Sequence, residues 1–430
     1  MPPLLIVLIC FVVLFLLRVP IAVVLLASTI VGIVVAPDHI PMSTLPTTMW
    51  QGINHFVLLA IPFFVLMGDL ALASGVTQRL VTMAKAFVGH ISGGLAHVSI
   101  IVNIIMAGMS GSDLADAAAT GKLLIPAMKK VGYPTGYAAS IIGGAATIGP
   151  LIPPSIAFII FAAATEESVG RLFLGGAIPG LLLGILLMVQ AYVVARRHGY
   201  PREPKATPRE RMRATVVGFP VLFLPVIVLG SILGGIATPT EAAVLGVIAV
   251  IVLGGVIYRE LTLATFGRQI VSTVKTVGSV FFIIASAAAF GKLLTLYGAA
   301  TALQQWLTGV TDDPVVFLLA ANVVFLLLGS MIDTVPILLV FVPLLMPTVR
   351  ALEIDPVHFG VVTVFNLLIG LITPPYGLTM YLLCRIAGIQ LDEFWRYMWP
   401  IFVAMVCMLL VVTFYSPLTT WLPNQVMPVR

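Results

Sequence analysis

Twice in this chain a long apolar run is cut by a pair of adjacent prolines, in IGPLIPPS at 148–155 and in LITPPYG at 371–377. Proline has no amide proton to donate, and its ring disfavours helical geometry in the residue before it. Neither run can therefore be one continuous helix. The medium around these breaks is set by composition: 60% of the residues are hydrophobic and 9% are charged, with a mean hydropathy of +1.14. Soluble globular proteins carry about 25% charged residues, and a disordered chain could not hide this much apolar surface. Three cysteines far apart in apolar stretches (Cys10, Cys384 and Cys407) make no disulfide scaffold. The chain is a polytopic membrane protein. Its net charge of +5 does not point to nucleic acid, because the basic residues collect where loops would face the cytoplasm.

A spanning helix needs roughly 20 apolar residues, whereas runs of about 10–14 are more often re-entrant or interfacial. On that rule, 3–17 and 20–36 form an opening pair parted by Arg18 and Pro20, and 56–74 forms a third span. No basic residue precedes the first run, which therefore reads as a retained helix and not a cleaved signal. The amphipathic stretch 76–92, carrying Arg79, Lys85 and His90, is expected to lie flat at the interface. Residues 95–130 place GMSGSD at 108–113 between two apolar arms, which predicts a re-entrant hairpin with its tip near Ser110, Gly111 and Ser112. The first broken span, 134–165, follows. Next come a span at 170–195, a polar loop at 196–213, and spans at 214–235, 239–258 and 276–297. A short arm at 299–309 leads to a second hairpin at 314–351 with LGSMIDT at its tip. The second broken span is 356–383, and 396–415 is the closing span.

Charge sets the orientation. With loop 196–213 in the cytoplasm, 17 of the 22 Lys and Arg fall on that side. Arg171, Arg350 and Arg430 fall outside, Lys122 and Lys292 sit at membrane depth, and both termini are expected in the periplasm. Outer loops carry Asp38, Asp312, Asp313, Glu353 and Asp355. In that frame the first hairpin enters from the cytoplasm and the second from outside, and the two units match. Pro126 and Pro347 each stand 27 residues before their Pro-Pro pair, and Gly149 and Gly370 stand four before. Asn103 and Asn322 precede the tips, Asp113 and Asp333 follow them, and Pro134 and Pro356 open the broken spans. The expected fold is an all-α polytopic membrane protein with inverted-topology repeats, two re-entrant helical hairpins and two broken helices. Secondary transporters use that architecture to hold substrate and ions at the midplane.

Irregular backbone at membrane depth is tolerated where it lines a cavity or is buried in protein, and its free carbonyls suit a hard cation such as sodium. The candidate cation ligands are Ser110, Gly111, Ser112, Gly149, Pro150, Pro153 and Ser155 in the first half. Ser330, Gly370, Thr373 and Pro374 are their counterparts in the second. Helix starts after each break direct N–H groups toward an anion. Ser110, Asp116, Lys122, Asp333, Thr334 and Asn366 are the candidates for holding substrate, because intramembrane acids cost at least about 2.5–3.5 kcal/mol and are functional by default. The plainer alternatives are helix capping for Asp113 and Asp333, snorkelling for Lys122, and interhelical hydrogen bonding for Asn103, Asn322 and Asn366. Asp69, near a span end, reads as structural, and the six histidines show no metal-ligand spacing.

GMSGSDLADAAATGKLLIPAMKKVGYPTGYAAS followed by GPLIPPS resembles the large membrane subunit of tripartite ATP-independent periplasmic (TRAP) transporters. So do IPFFVLMG at 61–68, SVGRLFLGGAIPGLL at 168–182 and ITPPYG at 372–377. The resemblance implies an elevator-type carrier of the ion-transporter superfamily in a bacterial inner membrane. Such a carrier takes an organic acid (a carboxylate) from a periplasmic substrate-binding protein, couples uptake to Na+, and works with a small four-helix membrane subunit. It assigns Ser110, Ser112, Pro150, Pro153 and Ser155 to one sodium site, and Gly329, Asp333, Thr373 and Pro374 to another. It also divides the chain into scaffold (1–94), first transport half (95–165), scaffold with cytoplasmic loop and second arm (166–312), second transport half (313–388) and a C-terminal helix (389–430). With no extra helices at either end, the chain resembles the unfused type.

A self-sufficient sodium/dicarboxylate symporter would share these hairpins. An intramembrane aspartyl hydrolase would need Asp113 or Asp116 to pair with Asp333, but no G-x-G-D sequence is present. A non-transporting scaffold would have no use for paired breaks. No H-E-x-x-H, G-x-S-x-G or phosphate-loop motif occurs, so an ion gradient is the simpler energy source.

Overall fold

A computed structural model describes residues 3–36 and 40–428 of the chain. Asp38, His39 and Arg430 lie outside the described residues. Every regular element among those described is helical. The opening pair is α1 (Pro3–Leu16) and α2 (Ile21–Val35). They are followed by α3 (Thr44–Ile53), a helix the sequence reading left unassigned, and by α4 (Ala60–Ala73). Then α5 (Val76–Val88) buries Val76, Leu80, Val81 and Ala84 against its neighbours, and its two cations pair outward. Arg79 meets Glu260 at 2.6 Å and stacks on Tyr258, while Lys85 meets Glu203 at 2.7 Å.

The first hairpin is α6 (Gly94–Ser110) and α7 (Asp113–Val131), and its tip falls where the sequence placed it. Gly111 there has φ +58°, and a Cβ on it would stand 2.8 Å from the Pro154 carbonyl oxygen, so glycine is required on both counts. The first broken span runs as α8 (Thr135–Ala146), a short turn Gly149–Leu151 and α9 (Ile156–Thr165), bent by 43°.

Next, α10 (Val169–His198) and α11 (Pro208–Leu233) shorten the polar loop expected at 196–213 to 199–207. The reason is local: Thr207 and Glu210 cap each other's backbone reciprocally, and Pro208 occupies the first helical position, so helix starts well inside the charged run. α12 (Pro239–Ile251) ends in a π turn, and α13 (Leu263–Leu296) starts 13 residues before the predicted span, capped by Thr262. After α14 (Ala299–Val310) come the second hairpin, α15 (Pro314–Gly329) and α16 (Thr334–Ala351), and the second broken span, α17 (Pro356–Gly370) and α18 (Leu378–Ala387). α19 (Leu391–Phe414) is the last long helix, and α20 (Pro417–Val426), also unforeseen, folds back on α10.

Among the described residues, seven helices are long and apolar enough to cross a membrane. The hairpins enter from opposite faces. The open end of the first, at Tyr133, packs on Tyr200 and donates to the Pro201 carbonyl beside loop 199–207. The open end of the second, at Arg350 and Asp355, lies beside Glu167, at the other end of α10. This is the inverted repeat expected from the sequence.

Two groups of helices meet broadly, with α13 on α16, α4 on α6 and α9, and α11 on α6. α2, α3, α4, α11, α12 and α13 form one; the hairpins and broken spans form the other. α10 packs on α6, α9, α17, α19 and α20, and so lies with the hairpin group. α19 packs mainly on α8 and α17 of the same group. Small residues on α10 permit this. A Cβ at Gly176 or Gly180 would overlap the first break, at Leu151 and Ile152.

Candidate functional site

Each hairpin tip is tied to its own broken span by one backbone hydrogen bond. Ile156 N–H reaches the Gly111 carbonyl at 3.5 Å, and Tyr376 N–H reaches the Ser330 carbonyl at 2.9 Å. Both partners shift by 219–220 residues between the halves, so the repeat extends to the contact itself. Close approach of backbones makes this possible. Gly370 abuts Gly329 so tightly that a Cβ would stand 2.5 Å from the Gly329 carbonyl carbon.

Between the tips lies a cavity of about 380 Å³. Ser110, Gly111, Ser112 and Asp113 line it from the first tip, Asp333 and Thr334 from the second, and Pro150 from the first break. The starts of three helices face it: Leu114 and Ala115 on α7, Ile156 and Ala157 on α9, Val335 on α16. First-turn amides have no partner within the helix ladder; those of Ala115 and Ile156 are taken by Ser112 and Gly111, so these ends offer the Ala157 and Val335 amides and their positive dipole ends to an anion. Ser112 and Ser155 cap α7 and α9 by accepting from Ala115 and Phe158.

The acids divide by role. Asp333 caps α16, accepting from the Thr334 amide at 2.6 Å. Asp113 does not cap. Its carboxylate reaches across the repeat and accepts from the Thr379 hydroxyl on α18, joining the first hairpin to the second broken span. Asp116, expected at the substrate, lies behind the tip, fully buried. One of its oxygens accepts from Ser110 Oγ at 2.6 Å; the other, Oδ2, abuts Gly149 and has no hydrogen-bond partner among the described residues. The Thr334 hydroxyl is also unpartnered.

Other candidates stand away from the cavity. Lys122 is exposed on α7, in line with snorkelling. Asn366 donates to the Asn322 carbonyl and side chain, and Asn322 donates to Thr413, a chain that fastens α17 to α15 and α19. Gly149, Pro153 and Ser155 are buried behind the first tip. Gly329, Ser330 and Gly370 pack behind the second. Thr373 and Pro374 sit in a break that is partly exposed.

The sequence reading missed the scaffold wall. Ile61, Val65, Gly68 and Asp69 of α4 and Thr276 and Val280 of α13 close the cavity's other side. Asp69 accepts from the Thr273 hydroxyl at 2.8 Å. An acid inside an apolar span was the available signal. Among the described residues, the cavity is thus lined by three carboxyl groups and by no Lys or Arg.

The family described as "Tripartite ATP-independent periplasmic transporter, DctM component" matches residues 8–418. The chain belongs to this family. Among its relatives is the sialic acid TRAP transporter large permease protein SiaM of Vibrio cholerae, 40% identical over 87% of this chain and 88% of that protein. Another is the C4-dicarboxylate TRAP transporter large permease protein DctM of Pseudomonas aeruginosa, 38% identical over 93% of each. Membership makes the chain a multi-pass large permease component among transporter subunits that are not enzymes, which removes the aspartyl-hydrolase reading. The solved YdaH transporter of Alcanivorax borkumensis shares the fold, with a TM-score of 0.66 at 16% identity over 97% of this chain and 99% of that one.

Proposed function

We propose that this chain is the translocating subunit of a sodium-driven importer of an organic acid in a bacterial inner membrane. In this reading, loop 199–207 lies in the cytoplasm and the termini in the periplasm. A periplasmic binding protein delivers the substrate, and a small four-helix subunit supports the scaffold. The hairpin group moves past α4 and α13 as an elevator. Carriage of carboxylates by the family is supported by the names of its relatives, which include carriers of sialic acid and C4-dicarboxylates.

The observation that carries sodium coupling is the mismatch of charge in the cavity. A carboxylate substrate would meet Asp113, Asp333 and Asp69 with no cationic side chain to balance them. Helix starts favour an anion by only about 0.3–1 kcal/mol each at exposed sites, and up to about 2 in partly buried geometry. Unpaired carboxyl groups at this depth cost more than that. Cations bound with the substrate remove the conflict, and they supply a reason for the unpartnered Oδ2 of Asp116 beside the Gly149 backbone. Sodium enters as co-substrate, held by the oxygen atoms of Ser110, Ser112, Asp116 and the first break, and in the second half by Ser330, Asp333, Thr373 and the second break. Substrate sits between the tips, on the amides of α9 and α16.

The test is uptake into proteoliposomes holding the chain with its small subunit, with labelled sialic acid and C4-dicarboxylates offered with and without a sodium gradient and binding protein. Uptake that needs both is expected. Uptake without the binding protein would assign the chain to self-sufficient symport, and uptake indifferent to sodium would overturn the cation sites.

A further inference from the structure

A second cavity, of about 230 Å³, lies far from the hairpin tips, where α8 and α19 begin and α10 ends. Its polar lining is Tyr137, Gln190, His198, Tyr200, Arg396 and Tyr397, and no carboxylate among the described residues lines it. The Tyr137 hydroxyl is the telling group. The residue is only 3% exposed, yet its oxygen has no hydrogen-bond partner among the described residues, and the buried Gln190 Oε1 has none either. Buried polar atoms without partners are uncommon in proteins, and an unpartnered hydroxyl facing a cavity marks a ligand's place; the Gln190 oxygen, an acceptor only, is no partner for an anion. Neighbouring acids are engaged elsewhere: Glu393 accepts from the Gly136 amide at 3.2 Å, and Glu203 pairs with Lys85. His198 already bonds the Val194 carbonyl through Nδ1, which leaves Nε2 facing outward from that bond.

We propose that this cavity binds the phosphate group of an anionic phospholipid. Donors dominate the lining, and a guanidinium beside hydroxyls and an imidazole is phosphate-recognition chemistry. Two further features favour a lipid over free phosphate. Trp395, Trp399 and Phe402 cluster next to Arg396 with ring centroids 5.4–6.0 Å apart, the aromatic belt expected at headgroup depth. Away from the cavity, α10 exposes Val189 and Val193 and α19 exposes Trp399 and Val403, apolar flanks along which acyl chains can lie. Basic pockets between helices at a membrane face are typical headgroup sites. The lipid would clasp α8, α10 and α19, all members of the hairpin group.

The experiment uses the purified chain with its small subunit in detergent, titrated separately with phosphatidylglycerol, phosphatidylcholine and inorganic phosphate. Bound lipid is read by native mass spectrometry and tryptophan fluorescence. Phosphatidylglycerol is expected to bind in preference to phosphatidylcholine. Arg396→Gln, at an exposed side chain, and Tyr137→Phe, which keeps the ring, should each weaken it, Arg396→Gln by about tenfold. Arg396→Lys should retain part of the binding. Equal affinity in the Arg396→Gln/Tyr137→Phe double variant, with native helicity retained, would overturn the site. Preference for inorganic phosphate over lipid, or equal binding of phosphatidylcholine, would overturn the lipid assignment. None of these readouts depends on transport.

Discussion

Replacing Gly370 by alanine tests the contact that joins the second hairpin to its broken span. A Cβ there would stand 2.5 Å from the Gly329 carbonyl carbon and 2.7 Å from its Cα, both backbone atoms that cannot swing aside. Carbon atoms rest about 3.5–4.0 Å apart, so α15 and α17 must separate by roughly 1 Å. Overpacking of this kind costs typically about 1–3 kcal/mol, and a shift of about 1 Å in a binding geometry can cost on the order of 100-fold in function. The reciprocal change, Gly329→Ala, places its Cβ 3.2 Å from Leu367, a tightness that a few tenths of an ångström relieve. Gly267→Ala, with nothing within 4 Å, serves as the control. Thermal unfolding of the purified complex and sodium-dependent uptake in proteoliposomes should rank the variants control, Gly329→Ala, Gly370→Ala from best to worst. If Gly370→Ala matches Gly329→Ala in both assays, the tip and the break are not held together by backbone contact, and the reasoning fails.

Thr379→Val should leave the buried Asp113 carboxylate without its cross-repeat partner, at a cost of about 1–3 kcal/mol in unfolding, while Thr379→Ser stays near wild type. Asp333→Asn and Ser112→Ala are expected to lower uptake with membrane insertion intact; wild-type uptake in either would count against that residue's role, and Ser112→Ala should also cost about 1 kcal/mol as a lost cap. Asp116→Asn should reduce the sodium dependence of uptake more than expression or helicity, and an unchanged sodium response would remove Asp116 from the cation site. Glu167, in the turn before α10, has its carboxyl held above the usual range by burial, with Asp355 beside it adding to the effect. A raised folded-state value means the charged form weakens the fold. Glu167→Gln should therefore raise thermal stability at neutral pH, and that gain should vanish as pH falls below the unfolded carboxylate range, about 4.3.

The apolar spans, the hairpin tips and the repeat were legible because each rests on local chemistry: run length, glycine where the chain must reverse, and proline where a helix must stop. GMSGSD and the two Pro-Pro pairs specify a turn and two breaks whatever surrounds them. Helix starts were less legible where capping reached into charged sequence, as at Thr207–Glu210 and Thr262. Tertiary structure alone decided which polar groups share one space. Asp113 and Asp333 are alike in the sequence, yet one crosses to Thr379 and the other caps its own helix: α18 packs on α7 and carries Thr379, whereas α9 packs on α16 and its matching turn, 157–160, has no hydroxyl. Asp116 turned inward to Ser110, Asn366 went to a helix seam, and Asp69 joined the cavity from the scaffold. Side-chain periodicity gives the face of a helix but not the helix that will meet it. That meeting is set by close approach at glycines, a property of pairs of segments distant in the sequence.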